Sequence, residues 1–330
     1  MNEFELIARL TKSLPTNQTV LVGAGDDCAV LDFGLPDKLL LFKTDAVVEG
    51  VHFTKDALPE KIGHKALARC LSDIAAMAGV PTAVLVTLGL PERFEPEFIG
   101  NIYDGMSALA KKYGVAMVGG ETTANPGQIF ISVALLGTVP RGKQILRSGA
   151  KAGDALFVTG ELGGSRAGKH LEFEPRLAEA RWLAEHFPVH AMIDLSDGLA
   201  GDLQHLLRAS GVGAELLKTA VPISRAAKLG GARLPPSRLA GTGLRPQASS
   251  RQALAPPKTP FAAALTDGED FELLFTIAGG HAVKLLDAWH KQFPGLKLSC
   301  IGKIITGSSV KILDKSGSRT LREHGYVHFS

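Results

Sequence analysis

The pattern of apolar and polar residues along the chain predicts alternating helices and strands. Apolar side chains at helical spacing predict helices at 61–78, 95–112 and 175–186. Short apolar runs predict strands at 82–90, 129–139 and 156–159, and another in the segment "FELLFTI". The stretch "VHAMIDLSDGLAGDLQHLL" at 189–207 begins as a buried strand and ends as a helix. The sequence therefore predicts an α/β fold of the α+β type.

Length and composition indicate two globular domains. The chain has 330 residues, more than one average domain, and combines 45% hydrophobic residues with 37 glycines. A turn-rich basic link at 140–155 is the candidate boundary, which predicts domains at 1–140 and 141–330. Within the second, residues 216–266 contain no acidic residue and are rich in proline and serine in their later part. We expect a mobile insert at about 231–260.

Charge and cysteine usage restrict the partners and the location. A net charge of +3 is too balanced to indicate a nucleic-acid partner. The longest uncharged run, 74–90, is broken by Gly79 and Pro81, which argues against a membrane span. The three cysteines are scattered without the spacing of a metal site, so we expect free thiols in a reducing compartment and a cytoplasmic protein.

Acidic residues recur where apolar runs end. A strand delivers its last residues to one edge of a sheet, so several such carboxylates can face a single crevice. The residues expected to converge in this way are Asp27, Asp45, Asp73, Glu121, Asp194 and Asp197. Two simpler explanations remain open. Ser196 or Asp197 could cap the following helix, and Asp73 could pair with Arg69 one turn earlier.

Converging carboxylates would require cations. Two like charges about 4 Å apart repel by roughly 4 kcal/mol at an effective dielectric near 20. Oxygen ligands without histidine or cysteine favour magnesium or manganese, and several magnesium ions held by carboxylates usually serve a polyphosphate. The segment "GGSRAGKH" at 163–170 resembles a P-loop but has His170 where Ser or Thr is needed, so we interpret it as a glycine-rich bend.

Seven motifs give the sequence its resemblance to a known family. They are "GAGDDCAVL", "TDAVVEGVHF", "LSDIAAMAG", "VGGETT", "RSGAKAGDALFVTG", "IDLSDGL" and "DGEDFELLFT". In this order the chain resembles the thiamine-monophosphate kinases, of the superfamily of aminoimidazole ribonucleotide synthetase. The resemblance implies ATP-dependent phosphorylation of thiamine monophosphate to thiamine diphosphate, with several Mg²⁺ ions. It also implies a homodimer whose first halves pair through mixed sheets in a barrel-like interface.

The resemblance also assigns roles to individual residues. The implied magnesium ligands are Asp27, Thr44, Asp45, Asp73, Glu121, Asp194 and Asp197, of which Asp45, Asp194 and Asp197 would act in catalysis. The implied ATP contacts are Tyr103, Gly120, Glu121, Arg147 and Ser196. The implied contacts to thiamine monophosphate are His52, Glu269 and Tyr326.

Three residues depart from the family pattern. Lys43 stands where a small hydroxyl residue is usual, so an ammonium could replace one peripheral metal. Glu121 stands where Asp is usual, and Asp267 replaces a common glycine.

Alternative functions follow from the same residues. The chain could be another ATP-dependent enzyme of the superfamily, a non-catalytic nucleotide sensor or a metal-stabilised structural dimer. A hydrogenase-maturation dehydratase is expected to end in a reactive cysteine, and a selenophosphate synthetase to carry an N-terminal Cys or selenocysteine. Here the last residue is Ser330 and the first cysteine is Cys28. The complete set of acidic residues favours an enzyme over a sensor.

Overall fold

The computed structural model describes residues 3–230, 258–323 and 325–326. The insert predicted at 231–260 therefore lies outside the described residues, apart from its last three. Of those, Thr259 caps a helix, because its hydroxyl accepts a hydrogen bond from the amide of Ala262 at 3.2 Å.

Helices and strands alternate through most of the described chain. The helices are α1 (Glu3–Thr11), α2 (Pro59–Ala76), α3 (Pro96–Tyr113), α4 (Leu177–His186), α5 (Leu199–Ser210), α6 (Arg225–Lys228), α7 (Pro260–Thr266) and α8 (Ala282–Gln292). The strands are β1 (Val20–Val22), β2 (Ala29–Leu31), β3 (Lys38–Val48), β4 (Val80–Leu90), β5 (Ala116–Ala124), β6 (Phe130–Pro140), β7 (Asp154–Thr159), β8 (Val189–Asp194), β9 (Gly213–Leu217), β10 (Leu273–Ala278), β11 (Leu298–Ile305), β12 (Val310–Asp314) and β13 (Gly317–Thr320). The α/β fold is confirmed.

Two mixed sheets organise these elements. The first has the order β1-β2-β3-β6-β4-β5, and the second β13-β12-β9-β11-β7-β10-β8. Neighbouring strands are antiparallel except for the pairs β4–β5 and β12–β9. The first sheet ends at Pro140 and the second begins at Asp154. The division into domains at 140 remains a prediction, and these bounds support it.

Helix α2 lies between the two sheets. It packs against β3 and β6 of the first sheet, and against β8 at the edge of the second. Pro59 starts the helix at a position where a proline needs no amide hydrogen bond. Thirteen of its eighteen residues are buried, so the helix has almost no solvent-facing side. Side chains on α2 can therefore reach both halves of the chain.

Close packing of α2 on α3 depends on two glycines. A Cβ at Gly63 would lie 1.8 Å from the carbonyl oxygen of Ile102, and a Cβ at Gly105 would lie 1.9 Å from that of Glu60. The backbones of the two helices thus touch where the side chain is a hydrogen atom. This contact sets the distance between α2 and α3.

Among the described helices, none combines the length and the apolar character needed to cross a bilayer.

Replacing Gly105 with Ala should force α2 and α3 apart, and we expect a loss of about 1–3 kcal/mol in the free energy of unfolding. Gly100 is the matched control on the same helix, since a Cβ there would meet nothing within 4 Å. The Gly100→Ala protein should be unchanged or slightly more stable, because alanine is the better helix former. Urea titration would measure both. Equal stabilities would contradict the packing described here.

Candidate functional site

Three carboxylates meet between the two halves of the chain. Asp27 comes from the loop between β1 and β2, Asp73 from α2 and Asp194 from the end of β8, and they are 1%, 6% and 3% exposed. One oxygen from each lies within 4.8 Å of the others. We call Asp27, Asp73 and Asp194 the acidic group. Oxygen ligands at such distances suit a hard divalent cation.

Because the acidic group is buried, the folded state is less stable when all three carboxylates are ionised. Burial and the charge of Asp27 raise the pKa of Asp194 to about 6, although the hydroxyl of Ser72 donates to its Oδ2 at 2.6 Å. Burial likewise raises the pKa of Asp73 well above its usual value, against the opposing effect of Lys43. Oδ2 of Asp27 is buried and has no hydrogen-bond partner in the described structure. These properties fit a site that binds Mg²⁺.

Basic side chains compensate part of this charge. Lys43 Nζ lies 2.7 Å from Asp73 Oδ1, and Arg147 donates to Asp27 Oδ1 at 2.6 and 3.1 Å. Arg69 forms a bidentate pair with Asp45 at 2.9 and 3.0 Å. The simple pairing of Asp73 with Arg69 along one helix is therefore wrong. Both side chains instead reach strand β3, which carries Lys43 and Asp45.

The other carboxylates expected to converge are not members of the acidic group, although the charge of Asp45 acts on Asp73. Asp45 is in the middle of β3 and Glu121 in the middle of β5, because both strands continue beyond the apolar runs seen in the sequence. Glu121 is exposed and accepts from the amide of Thr122 at 3.0 Å. Thr44 lies on the sheet face opposite to Asp45, with its hydroxyl 3.5 Å from that of Ser132. Metal binding by these residues remains a prediction.

The turn after β8 is not capped by Ser196 or Asp197. Helix α5 begins after Gly198, which has no side-chain cap. Asp202, one turn into the helix, instead accepts from the amides of Asp197 and Gly198 at 3.0 Å each. The capping explanation for Ser196 and Asp197 is thus wrong, and their side chains face a cleft.

This cleft brings together the three residues implied to contact thiamine monophosphate. It is lined by His52, Arg69, Arg166, Ser196, Asp197, Asp267, Glu269 and Tyr326, with Val51 and Phe271. The guanidinium of Arg166 lies 5.0 Å from the centre of the Tyr326 ring, a cation–π distance. The cleft therefore offers an aromatic ring, a guanidinium and a carboxylate side by side.

Glu269 is held in the cleft by the buried Lys65 and the partly buried His170. Its carboxylate lies 2.6 Å from Lys65 Nζ and 3.1 Å from His170 Nδ1. Lys65 also donates to the carbonyl of His52 at 2.6 Å, which ties the His52 loop to the same cluster. Burial alone would raise the pKa of Glu269, but His170 and Lys65 lower it well below its usual range. Burial lowers the pKa of Lys65 to about 8.

The backbone around Glu269 is strained. Glu269 and Phe271 have φ values of 57° and 50°, in the left-handed region that non-glycine residues rarely adopt. Their amides donate to the carbonyls of Ser196 and Leu195 at 2.7 and 2.8 Å, and the Phe271 ring stacks on Phe173. Strain of this kind is concentrated at functional sites, where the surrounding structure imposes it.

Comparison with known proteins identifies the family. Residues 25–139 match the family model of the AIR synthase related protein, N-terminal domain, and residues 149–313 that of the C-terminal domain. The thiamine-monophosphate kinase of Rhodopirellula baltica is 38% identical over 96% of this chain and 93% of its own length. That of Bacillus subtilis is 32% identical over 100% of both.

The chain belongs to the thiamine-monophosphate kinase family. The solved structure of AaThiL complexed with AMPPCP and TMP agrees with this assignment. It has a TM-score of 0.76 at 29% identity and covers 99% of this chain and 97% of that chain. The resemblance drawn from the seven motifs is confirmed.

The residues implied to contact ATP are more dispersed than those of the cleft. Arg147 lies on the acidic group and Ser196 in the cleft. Gly120 is on β5, where a Cβ would lie 1.8 Å from the carbonyl oxygen of Val86. Tyr103 is partly buried on α3 against the apolar core. No contact among the described residues joins Tyr103 or Gly120 to the acidic group, so their role in this kinase family member remains a prediction.

The glycine-rich bend at 163–170 is not a P-loop. It forms two short 3₁₀ turns, Ser165–Ala167 and Lys169–Leu171, where a P-loop would open a long helix. The last motif holds the bend in place. Asp270 accepts from the amide of Gly163 at 2.9 Å, and Asp267, the departure from the family pattern, accepts from that of Gly164 at 3.0 Å.

Sequence reasoning missed Lys65 and the pairing of Arg69 with Asp45. Lys65, Arg69 and Asp73 are spaced four residues apart on α2 and so share one face of the helix. Charged residues at this spacing on an otherwise apolar helix were the available signal. Their partners Glu269 and Asp45 lie far away in the sequence, and no local pattern indicates the pairing.

The metal-free protein should be stabilised when Asp194 loses its charge. Since the folded state binds the Asp194 proton more tightly than the unfolded chain does, ionised Asp194 costs up to roughly 3 kcal/mol at pH 7. This cost disappears as pH falls through about 6 towards 4. Asp194→Asn can still accept from Ser72 and should therefore be more stable than wild type in EDTA at neutral pH.

Denaturant titrations of both proteins across this pH range would test the effect. The stability difference between Asp194→Asn and wild type should shrink steadily towards acid pH. A difference that does not change with pH would show that the Asp194 carboxylate is not under electrostatic stress.

Proposed function

We propose that this protein transfers the γ-phosphate of ATP directly to thiamine monophosphate, with several Mg²⁺ ions, to form thiamine diphosphate. The observation that carries the proposal is the acidic group, with its unpartnered Asp27 oxygen. The family relationship supports the choice of substrates, since AMPPCP in the AaThiL complex is an analogue of ATP.

The acidic group would hold magnesium, with further ions held by Thr44, Asp45, Glu121 and Asp197 near the phosphates. Bound Mg²⁺ would neutralise negative charge on the phosphates and polarise the transferring group. Asp27, Asp73 and Asp194 come from three separate elements that the core fixes in position. The protein would thus supply preorganised ligands that do not have to rearrange during the reaction.

The cleft would orient thiamine monophosphate. Glu269 is kept ionised, so it can face the positively charged thiazolium ring of the substrate. The Tyr326 ring offers a surface for an aromatic group, and Arg166 offers hydrogen bonds to a phosphate. His52 lines the same cleft and would contribute a further contact.

The reaction would require no general base. The attacking group is a phosphate oxygen of thiamine monophosphate, which is already anionic at neutral pH. The oxygen forms a bond to the γ-phosphorus of ATP, and the bond to the β-phosphate oxygen breaks, releasing ADP. Catalysis would then rest on positioning and charge neutralisation.

Incubation with γ-labelled ATP, Mg²⁺ and thiamine monophosphate should give labelled thiamine diphosphate. A nucleotide sensor would give no product, and another enzyme of the superfamily would form ADP without thiamine diphosphate. Omitting thiamine monophosphate and quenching with acid should leave no label on the protein. Stoichiometric label that is later chased into product would instead indicate an aspartyl phosphate.

In the same assay, Asp194→Asn should lower kcat by at least about 100-fold. Asp104 is the matched control, because it is exposed on α3, and Asp104→Asn should keep wild-type activity. Near-normal activity of Asp194→Asn would contradict a metal-binding role for Asp194.

We also propose that the chain forms a homodimer through the open face of the first sheet. Helices α2 and α3 cover one face of this sheet. On the other face Phe42, Leu85, Val118 and Leu136 are 45%, 48%, 61% and 38% exposed. Phe42 and Leu136 are paired across β3 and β6, so they form part of one apolar surface. A surface of this kind is typical of a protein–protein interface.

Light scattering should give the mass of a dimer at micromolar concentration. Val118→Glu would bury a charge in this interface and should shift the protein to monomer. Val283 is the matched control, since it is 73% exposed on α8 in the second half, and Val283→Glu should remain dimeric. A monomeric wild-type protein would overturn the proposal.

We place the protein in the cytoplasm. Cys28 and Cys70 are buried free thiols and Cys300 is a partly exposed one. Cysteines that remain unpaired are typical of a reducing compartment.

A further inference from the structure

Lys43 brings an ammonium group into the acidic group. Alternate residues of β3 face α2, so Lys43 and Asp45 point to the same side of the sheet as Asp73. Lys43 Nζ lies 2.7 Å from Asp73 Oδ1, with side chains that are 22% and 8% exposed. Burial would lower the pKa of Lys43, but Asp73 and Asp45 raise it well above its usual value. The Lys43 ammonium is therefore held against Asp73 by a direct ion pair.

Two of the three carboxylates in the acidic group are paired with a basic side chain, and the third is not. Lys43 is paired with Asp73 and Arg147 with Asp27, whereas Asp194 accepts only from the neutral hydroxyl of Ser72. These ion pairs set three carboxylates against two cations, and Asp26 and Asp45 add further negative charge beside them. The Oδ2 atom of Asp27, which has no hydrogen-bond partner among the described residues, is available as a ligand. One oxygen from each of the three carboxylates lies within 4.8 Å of the others, a spacing that suits a single ion.

We propose that the ammonium of Lys43 replaces one divalent metal ion, so that the nucleotide-free protein binds a single divalent ion at the acidic group. Lys43 is then a positioning residue that neutralises Asp73 and keeps a second ion from binding there. The inference rests on the proposed function in taking the acidic group as a magnesium site. According to this inference, the side chain at position 43 determines how many divalent ions the chain binds.

Counting bound Mn²⁺ tests the proposal directly. Free Mn²⁺ gives a sharp paramagnetic resonance signal that is lost on binding, so a titration without nucleotide yields the number of tight sites per chain. Wild type should bind one ion. Lys43→Ser removes the ammonium and supplies a hydroxyl oxygen, and should bind one ion more than wild type. Equal counts in the two proteins, or a wild-type count other than one, would overturn the proposal.

Two further variants control for charge and for position. Lys43→Arg keeps the cation and should retain the wild-type count. Lys38 is on the same strand but exposed at its start, so Lys38→Ser should also bind as wild type does. An additional ion in Lys38→Ser would show that the gain does not depend on the ammonium at 43.

Loss of the Lys43 ammonium could also unfold the metal-free variant. In that case added Mn²⁺ should refold Lys43→Ser, because the added ion would replace the missing charge, and the count is made on the refolded protein. Failure of Mn²⁺ to restore folding would contradict the proposal. The assay uses no nucleotide or thiamine phosphate. A protein that forms thiamine diphosphate but shows unchanged counts refutes this inference alone, whereas changed counts without product refute the proposed function alone.

Discussion

Carboxylates of like charge that are buried together dominate the centre of this molecule. Asp27, Asp73 and Asp194 lie within 4.8 Å of one another where water has little access, an arrangement that would be strongly unfavourable without positive charge nearby. Lys43 and Arg147 supply positive charge to Asp73 and Asp27. The Oδ2 atom of Asp27 has no hydrogen-bond partner among the described residues. The features that surround the acidic group can be understood as ways of bringing cations to it and holding them there.

Helix α2 is the element that makes this compensation possible. Along one face it presents Lys65, Arg69 and Asp73, which pair with Glu269, Asp45 and Lys43 respectively. Each pair crosses from the helix to another part of the chain, so the helix is tied electrostatically to both halves. On its other side it meets α3 at backbone distance through Gly63 and Gly105. The helix is thereby fixed in position to the accuracy that metal ligands require.

Much of the fold could be predicted from the sequence because local patterns determine it. The apolar spacing of residues 61–78 and the run at 189–194 identified α2 and β8, with the acidic Asp194 at the end of the strand. The rule that carboxylates follow strand ends failed for Asp45 and Glu121. Their strands continue through residues that do not look apolar, because pairing with β6 and β4 overrides local preference.

Partner choice is the part of the site that could not be predicted. Arg69 and Asp73 are one turn apart and form a plausible pair by sequence, but each binds a residue of β3 instead. Which pairing occurs depends on where β3 lies relative to α2, and that is set by the whole first sheet. The family motifs located His52, Glu269 and Tyr326, and these do line one cleft. They gave no indication that Lys65 and His170 contact the Glu269 carboxylate.

The cluster around Lys65 also has a consequence for how the protein is made. Lys65 bonds the carbonyl of His52 nearby in the chain, but its carboxylate partner Glu269 is 204 residues further on. During synthesis the first half can assemble its sheet and helices long before that residue leaves the ribosome. Until then the Lys65 ammonium lacks its carboxylate partner, so the ion pair of this cluster can form only when the second half folds against the first.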